Sequence, residues 1–382
     1  MSRVFITKVE DEDVSSALSS CFDGLVSDEF LHGVRKAVIK PNLLNSSPAH
    51  SGVTTDLRIV SSLIELLLQR GVEKVFVGES SLINTQQVLE ALDVFRLEKL
   101  GASVVNFDRG DWVQVVSPAP MVLDRFHLAK TVYDCDLFIS AAKMKTHCDT
   151  KATLSIKNVL GAISPYDRRV GHKTDINRAI VEAYAYIKAN KKFLSIIDAI
   201  YALEGKRGPT FGNPIKMDLI IASDDPVAAD ATCVELMGYD VNKVEHIMLA
   251  DKIGMGSIEN REVVRHRIED GKVRFEMPPD KMPLSDFLPQ IQERLFKKLP
   301  YLKFEDKCTH CERCVTTCPG GNIAFSDGKI EIDYQNCLSC LVCCEACNEG
   351  ALDYRVTHSS IYTIAKGTRD LYWKFRYGVT AV

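Results

Sequence analysis

Two cysteine runs between Cys308 and Cys347 decide how the C-terminal part of this chain folds. The first reads C-T-H-C-E-R-C-V-T-T-C-P from Cys308, and the second reads C-L-S-C-L-V-C-C-E-A-C-N from Cys337. Each run spaces four cysteines as C-x2-C-x2-C-x3-C. A short turn can place three thiolates around one corner of a metal cluster, but the fourth ligand must then arrive from a distant segment. The repeated spacing therefore predicts two interlocked metal-binding runs.

This spacing resembles that of the bacterial two-cluster ferredoxins, in which the fourth cysteine of each run binds the other cluster. The resemblance implies two [4Fe–4S] clusters, one held by Cys308, Cys311, Cys314 and Cys347 and the other by Cys337, Cys340, Cys343 and Cys318. Asn348 stands where these ferredoxins usually have proline, and Cys344 is a ninth cysteine without an assigned role. Zinc on paired C-x2-C motifs and a disulfide framework are the alternatives, but neither requires two interlocked runs.

The composition is that of an ordinary globular protein, long enough for two domains. The chain has 382 residues, 46% of them hydrophobic, and a formal net charge of −4. No N-terminal segment resembles a signal peptide, and no run of about 18 apolar residues could span a membrane. We therefore expect a cytoplasmic protein without a membrane span, and the negative charge argues against nucleic-acid binding. Oxygen-sensitive clusters would favour an anaerobic or low-oxygen host.

The chain is predicted to contain two domains and two connecting or terminal segments. These are an α/β domain at 1–276, a linker with a short helix at 277–304, a small α+β two-cluster ferredoxin-like domain at 305–354, and a tail at 355–382. The linker contains five prolines, and apolar residues three or four apart predict its helix at 289–299. The tail has an aromatic and basic stretch at 371–377, which we interpret as a docking segment or, alternatively, as a contact for a partner.

Strand and helix signals alternate along the first 276 residues. Strands are predicted at 4–8, 38–39, 75–77, 103–107, 136–140, 193–198 and 217–222, and helices at 57–68, 86–100, 175–189 and 226–237. This order indicates an α/β fold with a mostly parallel sheet covered by helices. Ligands gather at the carboxyl ends of such strands. The predicted ends carry Lys40, Asn42, 79–81, 143–147, Asp198 and 223–225.

A group of basic side chains follows the strand predicted at 136–140, in what we expect to be a loop. The group contains Lys143, Lys145, His147, Lys151 and Lys157. Grouped cations at the end of a strand would bind an anion such as a carboxylate or a phosphate, and a histidine could donate a proton or bind a metal. The alternative is a solvated loop whose lysines have no ligand.

A second polar stretch, at 198–209, contains Glu204 beside two glycines that permit a tight loop. Glu204 could carry a carboxylate into the site, or it could be an acid in a solvent-facing turn. No glycine-rich nucleotide motif and no P-loop occurs in the chain, so nucleotide binding has no motif to support it.

An ordered set of short motifs is similar to the domain of unknown function 362 family, which is often fused to a two-cluster ferredoxin module. The set comprises K-P-N at 40–42, T-T-D at 54–56, G-E at 78–79, K-M-K-T-H at 143–147, K-N-V-L-G at 157–161, E-G at 204–205, G-P at 208–209 and S-D-D-P-V-A-A-D at 223–230. The resemblance implies an iron–sulfur protein. The family is also distantly similar to the first domain of nickel-pincer lactate racemases, but that similarity assigns neither nickel nor a reaction to this chain.

Our first hypothesis is a ferredoxin-coupled oxidoreductase that passes electrons from two [4Fe–4S] clusters to an anionic substrate or a metal centre in the α/β domain. The proposed catalytic residues are His147, Lys145 and Glu204, and the proposed substrate-binding residues are Lys40, Asn42, Lys143, Lys157 and Asn158. A redox partner protein or electron donor would reduce the clusters. The alternative is a non-catalytic electron carrier, or a metal or assembly factor that docks on a partner protein.

Overall fold

A computed structural model of the chain describes residues 1–82, 84–206, 208–210, 212–266, 274–279, 298–318, 321–326, 329–335, 337, 339, 341–347 and 349–357. The chain divides into two compact units, Met1–Pro279 and Asp280–Val382. The helix predicted at 289–299 lies outside the described residues, except that residues 298 and 299 begin a strand. The aromatic and basic stretch at 371–377 also lies outside them.

The first unit contains eleven strands within its described residues. They are β1 (Ser2–Lys8), β2 (Lys36–Pro41), β3 (Lys74–Glu79), β4 (Ala102–Asn106), β5 (Trp112–Val116), β6 (Arg125–Ala129), β7 (Leu137–His147), β8 (Lys151–Thr153), β9 (Lys192–Glu204), β10 (Asn213–Ser223) and β11 (Arg261–His266). β5 and β6 form a separate antiparallel hairpin, and the other nine strands form the main sheet.

The main sheet is mixed but mostly parallel. Its strand order is β11-β1-β10-β9-β7-β2-β3-β4, and β8 pairs with β7 outside this path. β10 runs antiparallel to both of its neighbours and β8 runs antiparallel to β7, whereas the other pairs are parallel. The carboxyl ends of β2, β3, β7 and β9 therefore lie at the same edge of the sheet. This arrangement confirms the predicted α/β fold.

Helices cover both faces of this sheet. The helices of the first unit are α1 (Val14–Leu25), α2 (Asp28–Leu31), α3 (Leu57–Gln69), α4 (Thr85–Ala91), α5 (Lys130–Tyr133), α6 (Ser155–Asn158), α7 (Pro165–Lys173), α8 (Ile176–Asn190), α9 (Pro226–Leu236) and α10 (Glu245–Lys252). One core lies between the sheet and α1, α3 and α4, and the other includes α6, α8, α9 and α10. The side chains of β7 alternate between them, since Phe138 joins one core while Leu137 and Ile139 join the other.

Two predicted strands are longer than expected. β7 continues through His147 instead of ending at Ser140, and β9 continues through Glu204 instead of ending at Asp198. The extra residues are held by pairing with β8 and β10, which in each case are the next strand along the chain. The helix predicted at 86–100 is also divided, because α4 ends at Ala91 and a 3-10 helix follows at Val94–Leu100.

The second unit is small and is built from short elements. Its described strands are β12 (Lys298–Leu302), β13 (Ile323–Ser326), β14 (Lys329–Ile332) and β15 (Leu352–Val356), paired antiparallel as β12 with β15 and β13 with β14. Two one-turn helices, α11 (Arg313–Thr316) and α12 (Val342–Glu345), follow the first cysteines of the two runs. Because β15 extends to Val356, the first two residues of the predicted tail belong to a strand.

Among the described helices of both units, none combines the length and the apolar character needed to cross a membrane.

Candidate functional site

The basic residues predicted to lie in a loop are in fact part of the buried strand β7. Lys143, Lys145 and His147 alternate along β7, so their side chains project from the same face. Lys143 and Lys145 are 0% exposed, and His147 is 7% exposed. The prediction of a loop is therefore wrong. Neither a solvated loop nor a flat basic surface describes these side chains.

Two buried lysines at the carboxyl edge of the sheet are neutralised by carboxylates. Lys40 on β2 lies 2.6 Å from a Glu79 oxygen, and Lys143 on β7 lies 2.8 Å from an Asp198 oxygen. Each carboxylate also accepts two backbone N–H groups, from residues 43 and 80 at Glu79 and from residues 56 and 200 at Asp198. These hydrogen bonds satisfy the charges that the fold has removed from water.

Two other buried lysines have only neutral partners among the described residues. The Lys145 Nζ donates to the Asn42 side-chain oxygen at 2.8 Å and to the backbone carbonyl of Val53 at 2.7 Å. The Lys157 Nζ donates to the Thr150 hydroxyl at 2.7 Å. Neither forms an ion pair in the part of the chain that the structure describes. Lys145 and Lys157 therefore lack the carboxylate partners that Lys40 and Lys143 have.

Burial strongly disfavours the charged form of these two amines. It lowers the pKa of Lys157 to about 7, and the neighbouring Cys148 and Asp149 oppose this only in part. Burial also places the pKa of Lys145 well below its usual range, and the charge of Lys157 lowers it further. Because each ammonium opposes protonation of the other, the pair titrates as a coupled unit.

Hydrogen bonds hold His147 in the neutral tautomer that carries its proton on Nε2. Its Nδ1 accepts the backbone N–H groups of Asp149 at 3.1 Å and of Thr150 at 3.4 Å. A neutral imidazole that accepts at Nδ1 carries its proton on Nε2, so we assign an Nε2–H donor. Burial, followed by the charge of Lys157, lowers the pKa of His147 well below its usual value.

The same contacts argue against a metal at this position. Ligand atoms of His147, Cys148 and Asp149 lie within 4.8 Å of one another. However, a metal on the His147 Nε2 would require a proton on Nδ1, where two N–H donors already point. The His147 geometry fits a hydrogen-bond donor better than a metal ligand.

Two asparagines connect Lys40, which has a carboxylate partner, with Lys145, which has none. Asn158 donates to the backbone carbonyl of Lys40 at 2.9 Å and to the Ser140 hydroxyl at 3.1 Å, and its side-chain oxygen accepts from Lys40 and Asn42. Asn42 in turn accepts from Lys145. The structure thus brings Lys40, Asn42, Lys145 and Asn158 into one network, as the sequence predicts.

The short helix α6, which carries Lys157 and Asn158, is held from α9. The two oxygens of the fully buried Asp230 accept the backbone N–H groups of Ser155 at 2.8 Å and Ile156 at 2.9 Å. This interaction satisfies donors at the start of α6. In the sequence Asp230 was only the last residue of a family motif, and it had no assigned role.

Some predicted positions lie away from the lysines. The carboxylate of Glu204 accepts the backbone N–H of Glu276 at 2.7 Å, and within the described residues it makes no hydrogen bond to the lysine network. Residues 223–225 lie at the opposite edge of the sheet, because β10 runs antiparallel to β9. An open, polar cavity of about 630 Å³ lies there, lined by residues that include Arg3, Lys188 and Asp225.

The cysteine runs of the second unit approach each other in a small apolar core. Cys314 of the first run and Cys343 of the second are both buried there, with Cys318 and Cys347 packed against them. Burial raises the pKa of Cys314 to about 11, and the neighbouring Cys343 and Cys347 thiols raise it further. None of the described cysteines forms a disulfide. Cys340 lies outside the described residues.

The backbone around the runs also suits an anionic iron–sulfur cluster. His310 and Glu312 have φ values of 56° and 54°, and Ser339 and Leu341, at the equivalent positions of the second run, have 60° and 63°. Non-glycine residues rarely adopt this conformation, which builds concave nests of amide groups that bind anions. Backbone N–H groups of residues 322, 339 and 351 also donate to the sulfurs of Cys318, Cys337 and Cys347.

Two family models match the chain, one in each unit. Residues 37–235, more than half of the chain, match the family described as "Domain of unknown function (DUF362)". Residues 301–348 match the family described as "4Fe-4S dicluster domain". The resemblance inferred from the motifs is confirmed, and the C-terminal module is an iron–sulfur domain of the ferredoxin type.

Individual proteins are also similar to this chain. A thylakoid-associated protein of Synechocystis sp. is 25% identical over 282 residues, which are 72% of this chain and 86% of that protein. The pyruvate synthase subunit PorD of Methanothermobacter marburgensis is 44% identical over 54 residues, which are 14% of this chain and 59% of that subunit. The lactate racemase apoprotein of Thermoanaerobacterium thermosaccharolyticum has a TM-score of 0.39 and 13% identity, covering 62% of this chain and 56% of that chain.

Proposed function

The chain belongs to the domain of unknown function 362 family, and we propose that it is an iron–sulfur oxidoreductase whose α/β unit binds an anionic substrate beside Lys145 and Lys157. Its ferredoxin-type module has an electron-transfer role. We propose that two [4Fe–4S] clusters are bound by the eight cysteines of the two runs and accept electrons one at a time from a donor protein.

One observation carries this proposal: the fold neutralises two of its buried lysines and leaves two without a counter-ion. An unpaired buried charge is costly, and the Lys40–Glu79 and Lys143–Asp198 pairs show how this fold avoids that cost. A bound anion would supply the missing negative charge to Lys145 and Lys157 through charge-assisted hydrogen bonds.

The side chains can be given separate roles on this basis. Lys157 and the Nε2–H of His147 would contact the anionic group, with Lys145 beside them. Lys40 and Lys143 already have carboxylate partners, so we propose that they position the network and do not contact the substrate. Asn42 and Asn158 would orient Lys145 and Lys40 through their hydrogen bonds. We assign no acid–base role to Glu204, whose carboxylate holds the backbone of Glu276.

The alternative of a docking protein receives less support from these residues. A partner protein would need exposed lysines, but the three lysines on the central strands β2 and β7, Lys40, Lys143 and Lys145, are at most 1% exposed. Small-molecule sites instead place a few polar groups inside a concave site, where they fix the orientation of the ligand.

Reoxidation of the reduced protein tests the proposal. The protein would be purified anaerobically, reduced photochemically, and mixed with small-molecule extract that has been separated by anion exchange. We expect at least one anionic fraction to reoxidise the clusters, as followed by visible absorbance. Lys145→Met should lose this response with its iron content unchanged, whereas Lys151→Met should keep it, because Lys151 donates to the backbone carbonyl of Pro279. If no fraction reoxidises the wild-type protein, the oxidoreductase proposal is wrong.

A further inference from the structure

The polar atoms around Lys145 and Lys157 include more donors than acceptors. When protonated, Lys157 has three N–H groups and uses one of them, on Thr150. The Nε2–H of His147 has no hydrogen-bond partner in the described part of the chain. The Thr153 hydroxyl is fully buried and has no partner either. Such a surplus of donors matches an oxyanion ligand.

The sheet brings these donors together. Thr153 on β8 is the direct antiparallel partner of Lys145 on β7, so both side chains lie on the same face of the sheet. His147 follows two residues after Lys145 and shares that face. Thr150, which accepts from Lys157, also donates its backbone N–H to His147. Lys145, His147 and Thr153 therefore share one face at the end of β7, and Thr150 connects Lys157 to His147.

We propose that this site recognises a single carboxylate group in preference to a phosphate group. The inference rests on the proposed anion site and names the chemical class of its ligand. Two independent features of the site favour the carboxylate.

The first feature is the lack of available backbone amides. Phosphate sites commonly use the N–H groups at a helix N-terminus or in a glycine-rich loop. Here the amides at the start of α6 are already bound to Asp230. In the nearby loop, the carbonyl of Gly208 accepts the N–H of Cys148. With the α6 amides occupied, side chains would have to satisfy the ligand, and a carboxylate presents two acceptor oxygens to them where a phosphate presents three.

The second feature is charge. Burial, followed by the charge of Lys157, opposes protonation of Lys145, so the two amines together carry fewer than two positive charges. A carboxylate matches this with one negative charge, whereas a phosphate ester carries about 1.5 to 2 at pH 7. The other groups that face Lys157 do not change the comparison. They are His147, His172 and His246, which are neutral, the protonated thiol of Cys148, and Asp149, which is exposed and adds negative charge.

Titration calorimetry of the complete, cluster-loaded protein tests the inference. Acetate, propionate and butyrate would be compared with inorganic phosphate and sulfate at pH 7. We expect at least one carboxylate to bind at least tenfold more tightly than either inorganic anion. Above pH 7 the affinity should fall, and the heats measured in different buffers should show uptake of close to one proton at pH 8, because a carboxylate would restore the proton of Lys157.

Two lysine variants test whether the anion binds beside Lys157. Lys157→Met should weaken carboxylate binding at least tenfold and should still unfold cooperatively, while Lys151→Met should bind like the wild type. Equal or tighter binding of phosphate would overturn the carboxylate preference and leave the anion site intact. Carboxylate binding that Lys157→Met does not change would place the site elsewhere. If no anion binds the wild-type protein, the inference and the proposed anion site fail together.

Discussion

Four buried lysines lie near one edge of the sheet, and their different partners allow the effects of charge and burial to be separated. Lys143→Met should lower the free energy of unfolding by roughly 3–5 kcal/mol, because Asp198 would stay buried without its cation. Lys157→Met should lower it by no more than about 1 kcal/mol, because removal of an unneutralised buried amine offsets the loss of one hydrogen bond. Urea unfolding at pH 7, followed by circular dichroism, measures both. Equal losses would contradict the assignment of Lys157 as unpaired.

The same amine should also make stability depend on pH. The folded-state pKa of Lys157 is about 7, against an ordinary value of 10.5. Between these values the unfolded chain binds a proton that the folded chain lacks, so this group makes the folded state more stable as pH rises. This gain in stability is lost as pH falls from 10.5 to the folded-state pKa of about 7.

Comparison with Lys157→Met isolates this contribution. The difference in unfolding free energy, wild type minus variant, should rise between pH 7 and pH 9 by up to about 1.4 kcal/mol per pH unit. Parallel urea unfolding series at pH 7, 8 and 9 would measure it. A difference that is constant, or that falls with pH, would show that Lys157 is charged in the folded protein.

At the level of single residues, the sequence identified the polar cluster but not its environment. Residues 143–147 read K-M-K-T-H, an alternation of polar and apolar or small side chains with a period of two. That period is typical of a strand, and it could have predicted that Lys143, Lys145 and His147 share one face. Thr153 gave no such signal, because its importance depends on the pairing of β8 with Lys145.

Among the elements, the turn of 3-10 helix at Val159–Ala162 holds the Lys40–Glu79 ion pair in place. A Cβ atom on Gly161 would collide with the Glu79 carboxylate and with the end of the Lys40 side chain. Gly161→Ala should therefore separate the buried pair and lower the free energy of unfolding by about 3 kcal/mol.

Gly110→Ala is the matched control for this change. A Cβ atom on Gly110 would meet its nearest neighbour at 3.6 Å, an ordinary van der Waals distance. Gly110→Ala should change the free energy of unfolding, measured by urea unfolding, by no more than about 0.5 kcal/mol. If Gly161→Ala is as stable as this control, the ion pair tolerates displacement and the helix turn does not fix it.

The ends of the elements show why part of the fold could not be predicted. The beginnings of β7 and β9 are apolar runs, and the sequence marks them clearly. Their continuations depend on partners, because β7 pairs with β8, and β9 continues past an irregularity opposite Lys143 and Lys145 to pair with β10. Such pairing is set by tertiary contacts and not by the local pattern.

At the scale of the whole molecule, the two units differ in how directly the sequence reveals them. The ligands of an iron–sulfur cluster follow a fixed spacing, so the cysteine runs could be identified from one chain. The lysine network depends on which buried cations receive carboxylates from other strands, and the sequence does not show this. Only the ordered motifs shared with the family, which contain Lys40, Lys143, Lys145 and Lys157, indicate that these segments belong together.

The interlocked cluster arrangement predicts which cysteine variants should resemble one another. We expect the anaerobically purified protein to contain close to eight irons, four per cluster. Cys347→Ser should lose about half of this iron, because its thiolate is the fourth ligand of one cluster. Although Cys347 lies in the second run, the remaining spectrum should match that of Cys311→Ser in the first run. Cys314 lies beside both Cys343 and Cys347 of the second run.

Electron paramagnetic resonance of the reduced variants, together with iron analysis, decides between the two possible pairings. Cys337→Ser should leave the opposite cluster and a different spectrum, and Cys344→Ser should keep all the iron, because Cys344 falls outside the repeated spacing. If Cys347→Ser matches Cys337→Ser instead, each run holds its own cluster.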